Sequence, residues 1–341
     1  MYRIKGQLVY SPSDLIRFME SPFSSWMDRY NLEFPGQLTP DEDTAEAKLI
    51  QETGNRHEKQ FLDDLRTKGR DIAEIDSHGP DPEAQTKAAM AAGREIIYQA
   101  CLALPPFRGY ADFLSRVESV PGSRATYEVW DTKLARKAKP YYIVQLCCYA
   151  EMLEHLQGSR PRTLRVVLGN NEIPSFKTED FFYYYQQLKQ AFLQLMHGFD
   201  PANPPMPEPR ADHGRWQSHA DAKLVALDNL VQVAGITTGQ IKKLNNAGIT
   251  TVCQLAALNE AKVPKLSGPI LQRLVEQAQL QVQTRELRAR AGPDTTVPPR
   301  RPCPLQATTA RLLAGGQTGK SLNRCACIRG SQALVNLMDE L

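Results

Sequence analysis

Long apolar runs are missing from this sequence. It has no stretch of about 18 or more apolar residues, which argues against a transmembrane helix. Its first residues, Met-Tyr-Arg-Ile-Lys-Gly-Gln, contain no apolar segment of the signal-peptide kind. Cysteine is also scarce: there are seven, an odd number without even spacing, which does not indicate a disulfide framework. We therefore expect a cytoplasmic protein without a membrane partner.

A large excess of charge of one sign is missing as well. The formal net charge is only +3. Residues 286–341 carry eight Lys or Arg against four Asp or Glu, and residues 227–285 carry six against three. Any electrostatic attraction to phosphate groups is therefore local. What the chain does have is 42% hydrophobic residues over 341 positions, enough for two domains with their own cores.

Acidic residues lie within two strand-like segments between residues 107 and 133. Asp112 is inside the first segment, and Asp131 is followed two residues later by Lys133 in the second. Because successive side chains of a strand point to opposite faces, Asp131 and Lys133 share one face. Pro121-Gly122-Ser123 is a turn signal between the segments. The two aspartates are therefore expected on adjacent strands, a few ångströms apart.

Two carboxylates at such a distance repel each other, and a cation is their natural counterpart. Hard oxygen ligands favour magnesium or manganese, and magnesium usually takes one or two protein carboxylates together with substrate phosphate oxygens. Lys133 beside the metal would orient or help to deprotonate an attacking water, and it could also steady a phosphate oxygen. The chemistry indicated is hydrolysis of a phosphodiester.

These residues resemble the PD-(D/E)XK nucleases, specifically the RecB-type branch that also includes the CRISPR-adaptation exonucleases. Over roughly residues 7–285, the resembling elements are Gly54-Asn-Arg-His57-Glu58, Gly109-Tyr-Ala-Asp112, Asp131-Thr-Lys133, and Gln145 four residues before Tyr149. The resemblance implies an α/β restriction-endonuclease-like core, in which helices flank a mixed central sheet. It also implies metal-dependent cleavage of DNA, with exonuclease action on single-stranded ends in DNA repair, recombination or defence.

The resemblance also assigns roles to single residues. Magnesium or manganese would be bound by His57, Asp112, Asp131 and the backbone carbonyl of Thr132. Lys133 would be the catalytic lysine. Gln145 and Tyr149, one helical turn apart and so on one face, would contact DNA near the scissile phosphate.

His57 has a second interpretation. It lies in the middle of a helix predicted from about Thr44 to Leu65, on a stripe with a spacing of four that consists of Leu49, Thr53, His57, Phe61 and Leu65. A histidine on such an inward face is more often a core residue with satisfied hydrogen bonds than a metal ligand. The metal role therefore depends on its order in the chain relative to Asp112 and Asp131.

Several relatives in this nuclease branch hold an iron-sulfur cluster through one cysteine near the N-terminus and three after the nuclease core. In this sequence, Met19-Glu20-Ser21-Pro22-Phe23 has a serine where the first cysteine would stand. We therefore expect no iron-sulfur cluster.

Two Gly-Ile-Thr-Thr turns, beginning at Gly235 and Gly248, flank a short amphipathic helix that carries Lys242 and Lys243. They resemble helix-hairpin-helix modules, in which backbone amides at a helix N-terminus bind DNA phosphates without reading the sequence. A small helical domain that docks onto protein is the alternative. For the whole chain, the rival is a non-cleaving module that binds DNA or protein, and a helicase or further nuclease domain could act in trans.

Proline marks the boundary between these parts. The segment from Phe199 to Pro209 is rich in proline and cannot sustain a helix or a central strand. The expected layout is a nuclease domain at 1–205, a proline-rich linker at 206–226, an all-α helix-hairpin-helix domain at 227–285 and a disordered or truncated tail at 286–341.

Overall fold

The structure, a computed structural model, describes residues 1–117, 125–259 and 262–291. The described residues form two compact units. The first contains Met1–Glu208 and Asp212–Ser218, and the second contains Pro209–Ala211 and the described residues from His219 to Ala291. The turn predicted at 121–123 and nearly all of the predicted tail lie outside the described residues.

A mixed six-stranded sheet forms the centre of the first unit, so the predicted α/β class with a mixed central sheet flanked by helices is confirmed. A two-stranded hairpin, β1 (Tyr2–Ile4) and β2 (Gln7–Val9), precedes it. The sheet consists of β3 (Ile72–Glu74), β4 (Ile96–Leu104), β5 (Phe107–Val117), β6 (Thr126–Lys133), β7 (Thr163–Leu168) and β8 (Ser175–Lys177), which lie side by side in chain order. The β3–β4 and β6–β7 pairs are parallel, and the other neighbours are antiparallel.

Six helices surround this sheet: α1 (Pro12–Glu20), α2 (Pro22–Glu33), α3 (Ala45–Thr67), α4 (Pro82–Ala91), α5 (Pro140–Gln157) and α6 (Thr178–His197). The first two of these helices are divided at Ser21. Pro22 has no N–H to continue the first helix, while the Ser21 hydroxyl accepts a hydrogen bond from the Ser24 amide and so begins the second.

The stripe predicted on α3 is wrong at its first position. Leu49 is 59% exposed, and only the last turns of the helix are buried, where Phe61, Leu62 and Leu65 pack against the sheet. The spacing of four continues along the helix, but burial does not extend to its first turns. His57 lies half-buried where the helix meets the sheet.

Helix α5 packs against β4, β6 and β7 and against α1 and α6. Most of its side chains are buried, and Leu146, Cys147 and Cys148 are almost completely so. The paired cysteines therefore behave as small apolar core residues.

The second unit is helical. Its elements are the last part of α7 (Gln217–Ala226), then α8 (Thr238–Asn246), α9 (Val252–Ala256) and α10 (Gly268–Ala291). Its core contains Leu230, Ile241, Leu244, Leu255 and Leu274. Helix α10 continues past residue 285, where the sequence placed the end of this domain. No helix within the described ranges combines the length and the apolar character needed to cross a membrane.

Candidate active site

The ladder between β5 and β6 ends at the level of the two aspartates. Phe113 pairs with Trp130, and beyond that pair no further residues of the two strands are matched. Strand β5 nevertheless continues along β4, and β6 continues along β7 as far as Lys133. In this register the next residues would be Asp112 and Asp131, so the sheet opens at the position where both carboxylates lie.

The side chain of Asp112 bridges this opening. Its Oδ2 atom accepts the backbone N–H of Thr132 at 2.8 Å and the Thr132 hydroxyl at 2.8 Å. A carboxylate thus replaces the strand partner that Thr132 would otherwise have. This pair of bonds fixes Asp112 against β6.

Asp131 is the most buried acid of the site. It is 1% exposed, Lys133 Nζ lies 2.5 Å from its Oδ2, and its Oδ1 has no hydrogen-bond donor. The prediction that Asp131 and Lys133 share one face of a strand is confirmed by this ion pair. A buried carboxylate oxygen without a donor is costly, and it marks a position where a cation would be stabilising.

The electrostatics of the site show a shortage of positive charge. Burial raises the pKa of Asp131 to about 7, since Lys133 only partly offsets burial and the nearby Asp112 carboxylate adds to it. Burial would lower the pKa of Lys133, but the carboxylates of Asp131 and Asp112 outweigh it and raise that pKa above its ordinary value. Lys133 is therefore a cation at neutral pH.

Glu58 is a third carboxylate that the sequence argument did not single out. Its Oε1 accepts a hydrogen bond from Gln99 Nε2 at 2.5 Å, and its pKa is raised by burial and by the neighbouring Asp112 carboxylate. The signal was present, because Glu58 directly follows His57 in the Gly54–Glu58 element. Adjacent helix residues point in different directions, so only the packing of α3 decides which of them faces the aspartates.

His57 lies beside the next strand. Its Nε2 is 3.5 Å from the backbone carbonyl of Val167, and Val167 is paired with Thr132 across β6 and β7. The ring is therefore close to the strand that carries Asp131 and the Thr132 carbonyl. Its role as a metal ligand, like that of the carbonyl, stays a prediction.

Tyr149 contacts β5 close to the opening between β5 and β6. Its hydroxyl donates to the backbone carbonyl of Tyr110 at 2.6 Å, and the side chain is only 5% exposed. It also hydrogen-bonds with Gln145, one turn earlier on α5. Gly109 allows this close packing, since a Cβ there would lie 3.1 Å from the Tyr149 ring. The structure thus gives Tyr149 a positioning contact, while the predicted DNA contacts of both residues stay predictions.

The donor set fits a hard divalent cation in its chemistry. Asp112, Asp131 and Glu58 offer carboxylate oxygens, and one oxygen of Asp131 is buried without a donor. Within residues 1–117, 125–259 and 262–291, no three His, Cys, Asp or Glu side chains are gathered closely enough to hold a metal ion as they stand. Binding would therefore have to draw these carboxylates together around Asp131.

Ser21 stands where the relatives have their first cluster cysteine, and its side chain takes part in hydrogen bonds within the protein. Ser21 Oγ is 2.7 Å from Nδ1 of the buried His213, and Ser24 Oγ donates to the His213 carbonyl at 2.7 Å. These hydrogen bonds fasten the segment near residue 213 to the start of α2. Ser21 thus contributes to a buried hydrogen-bond network.

In the second unit, Gly248 has a left-handed backbone with φ of +81°, as its turn requires. The amides that follow are already bound within the chain. Val252 N donates to the Asp228 carbonyl at 2.8 Å, and Cys253 N donates to the Asp228 carboxylate at 2.7 Å. The Asp228 carboxylate thus occupies the helix N-terminus that a DNA phosphate would use.

The turn at Gly235 is more open. Gln240 Oε1 accepts the amide of Thr237 at 2.7 Å, which closes a capping box. The amides of Thr238 and Gly239, the first two residues of α8, have no partner within the helix itself. Helix α8 follows with Lys242, which is exposed, and Lys243, which is half-buried. The predicted contact with a DNA phosphate is therefore limited to the turn at Gly235 and the first turn of α8.

Comparison with known proteins adds no assignment. A scan against protein-family models gives no match, and no curated protein matches the chain. The resemblance to RecB-type nucleases therefore depends on its four sequence elements, and the site must be judged by its geometry.

Proposed function

We propose that this protein hydrolyses DNA phosphodiester bonds with the help of magnesium or manganese. The observation that carries the proposal is the opening between β5 and β6, where Asp112, Asp131 and Lys133 meet. A buried carboxylate without a donor, a second acid held by two hydrogen bonds and a lysine cation form a suitable set for a metal-assisted attack on phosphate.

Asp131 and Asp112 would hold the metal, and Glu58 and the Thr132 carbonyl would add ligands once the carboxylates are drawn together around Asp131. The bound metal would supply a more acidic water and stabilise the charge that develops on the phosphate. The carboxylate of Asp131 is shielded from bulk water, which strengthens its electrostatic interactions.

Lys133 acts as a cation in this proposal. Since its pKa is raised, its ammonium group donates hydrogen bonds to a phosphate oxygen or to the attacking water. Removal of a proton from that water by Lys133 would first require a nearby positive charge to offset the two carboxylates.

A basic connection follows the site. Arg136, Lys137 and Lys139 are exposed between β6 and α5, directly after Lys133. Such residues attract a phosphate backbone without reading bases. Together with the family resemblance, they support a DNA strand as substrate, with exonuclease action on single-stranded ends.

The test is digestion of end-labelled single-stranded and double-stranded DNA with magnesium or manganese. We expect the unaltered chain to shorten labelled ends, and Lys133→Ala and Asp131→Ala to lose cleavage by at least about 100-fold. Lys68→Ala, which changes an exposed lysine at the end of α3, is the matched control and should cut normally. Equal cleavage by Lys133→Ala and the control would refute the proposal.

A second candidate function is a docking module that binds DNA or protein and does not cut. The occupied amides after Gly248 favour protein docking for the second unit, because Asp228 holds the position of a phosphate. DNA binding that weakens steeply with salt, without cleavage at any metal concentration, would favour a non-cleaving DNA binder. A chain that neither binds nor cleaves DNA would favour protein docking.

A further inference from the structure

Gln99 has an unusual backbone for a residue inside a strand. Its φ is +54°, in the left-handed region that non-glycine residues rarely adopt. It lies within β4, between Tyr98 and Ala100, which are both paired with β5. Such a conformation persists only where the surrounding structure holds it, and it is concentrated at functional sites.

The position of Gln99 coincides with the opening of the sheet. Tyr98 pairs with Phe113 and Ala100 with Ala111, so the register places Gln99 opposite Asp112. The distortion of β4 and the end of the β5–β6 ladder therefore lie in one row across the sheet.

The side chain of Gln99 reaches Glu58. Its Nε2 donates to Glu58 Oε1 at 2.5 Å, and Tyr98 adds a hydrogen bond to the same carboxylate. The pKa of Glu58 is raised, first by burial and then by repulsion from the Asp112 carboxylate. A neutral amide donor fixes the position of a carboxylate without supplying the positive charge that a cation would bring.

We propose that Gln99 is a positioning residue that holds Glu58 beside Asp112 as a further carboxylate for the metal. This inference rests on the proposed metal-dependent function and adds Gln99 to its site as the residue that positions Glu58. In this proposal, the left-handed backbone of Gln99 directs its side-chain amide toward the Glu58 carboxylate. Residues that orient metal ligands in this way raise the affinity for the metal.

The experiment measures binding of manganese to the full chain by titration calorimetry, so that it does not depend on cleavage. Gln99→Leu removes the amide at similar size, and Gln99→Asn tolerates the left-handed backbone but is too short to reach Glu58. We expect both to weaken manganese binding roughly 10- to 100-fold. The matched control is Gln60→Leu. Gln60 donates a hydrogen bond to Asp64 on the exposed side of α3, the helix that also carries Glu58, so this variant should bind manganese as the unaltered chain does.

A double-mutant comparison separates positioning from general loss of structure. Glu58→Gln should weaken manganese binding by itself, and Gln99→Leu should add little in that background, because the partner of Gln99 is already altered. Independent, additive losses would show that Gln99 acts on the whole fold, and the inference would be overturned. If Gln99→Leu does not fold, Gln99→Asn gives the same comparison.

The outcomes also separate this inference from the proposed function. Manganese binding and DNA cleavage by the unaltered chain, with undiminished binding by both Gln99 variants, would overturn the role of Gln99 and leave the nuclease intact. A chain that binds no manganese and cuts no DNA would overturn both.

Discussion

The carboxylate of Asp112 accepts both the backbone N–H and the hydroxyl of Thr132, each at 2.8 Å, across the gap between β5 and β6. The Asp112 side chain therefore takes the place of a backbone hydrogen-bond partner for Thr132. The same two hydrogen bonds fix the orientation of the Asp112 carboxylate, which is a candidate metal ligand. Thr132 contributes through its backbone and its hydroxyl, which makes the two contributions separable by substitution.

Thr132→Val should reduce DNA cleavage roughly tenfold, because it removes one hydrogen bond to a charged group while keeping the branched shape. Thr132→Ser keeps the hydroxyl and should cut nearly as well as the unaltered chain. Initial rates at saturating manganese would provide the measurement. Equal rates for the two variants would show that the hydroxyl does not orient Asp112.

Asp131 should make stability depend on pH in the metal-free chain. Its pKa rises from an ordinary 3.8 to about 7 on folding, so the folded state retains a proton that the unfolded state has lost. Stability should therefore fall as pH rises from about 4 to about 7. Asp131→Asn, which stays neutral, should be more stable than the unaltered chain at pH 8 by about 2 kcal/mol, less than the full shift implies because Lys133 loses its partner.

Chemical denaturation at pH 5 and pH 8 measures this difference. At pH 5 both chains carry a neutral side chain in the folded state, and the two free energies of unfolding should be closer. A constant difference between the two pH values would contradict the raised pKa of Asp131.

Tyr149→Phe should lower the free energy of unfolding by about 1 to 2 kcal/mol, because the Tyr110 carbonyl loses its donor at the edge of the opening. The control is Tyr183→Phe on α6, whose side chain is 71% exposed and which should leave stability unchanged. Urea denaturation of the three proteins checks the prediction. An equal effect of both substitutions on the free energy of unfolding would contradict a stabilising role of the Tyr149 hydroxyl.

The second unit should bind DNA through the turn at Gly235. Lys242→Gln should reduce the slope of log affinity against log salt by about 1, as expected for the loss of one phosphate contact. Arg273→Gln changes an exposed cation on α10 and is the control. Fluorescence anisotropy with labelled single-stranded DNA over a range of salt measures both slopes, and identical slopes would move the contact away from α8.

The sequence by itself determined the local relationships. Alternation along a strand was enough to place Asp131 and Lys133 on one face, and the family resemblance implied a mixed α/β sheet. The two Gly-Ile-Thr-Thr motifs, with glycine permitting a tight bend, indicated the two turns of the second unit. These features depend on residues that are close in the chain, so local spacing carries the information.

Only the tertiary structure decided which groups meet. Glu58 and Gln99 are 41 residues apart, and nothing in either segment shows that one donates to the other. The end of the β5–β6 ladder, the exposure of Leu49 and the capture of the Cys253 amide by Asp228 likewise result from contacts between distant segments. The physical reason is that burial and charge at a site depend on packing in three dimensions, which the periodicity of a single segment does not contain.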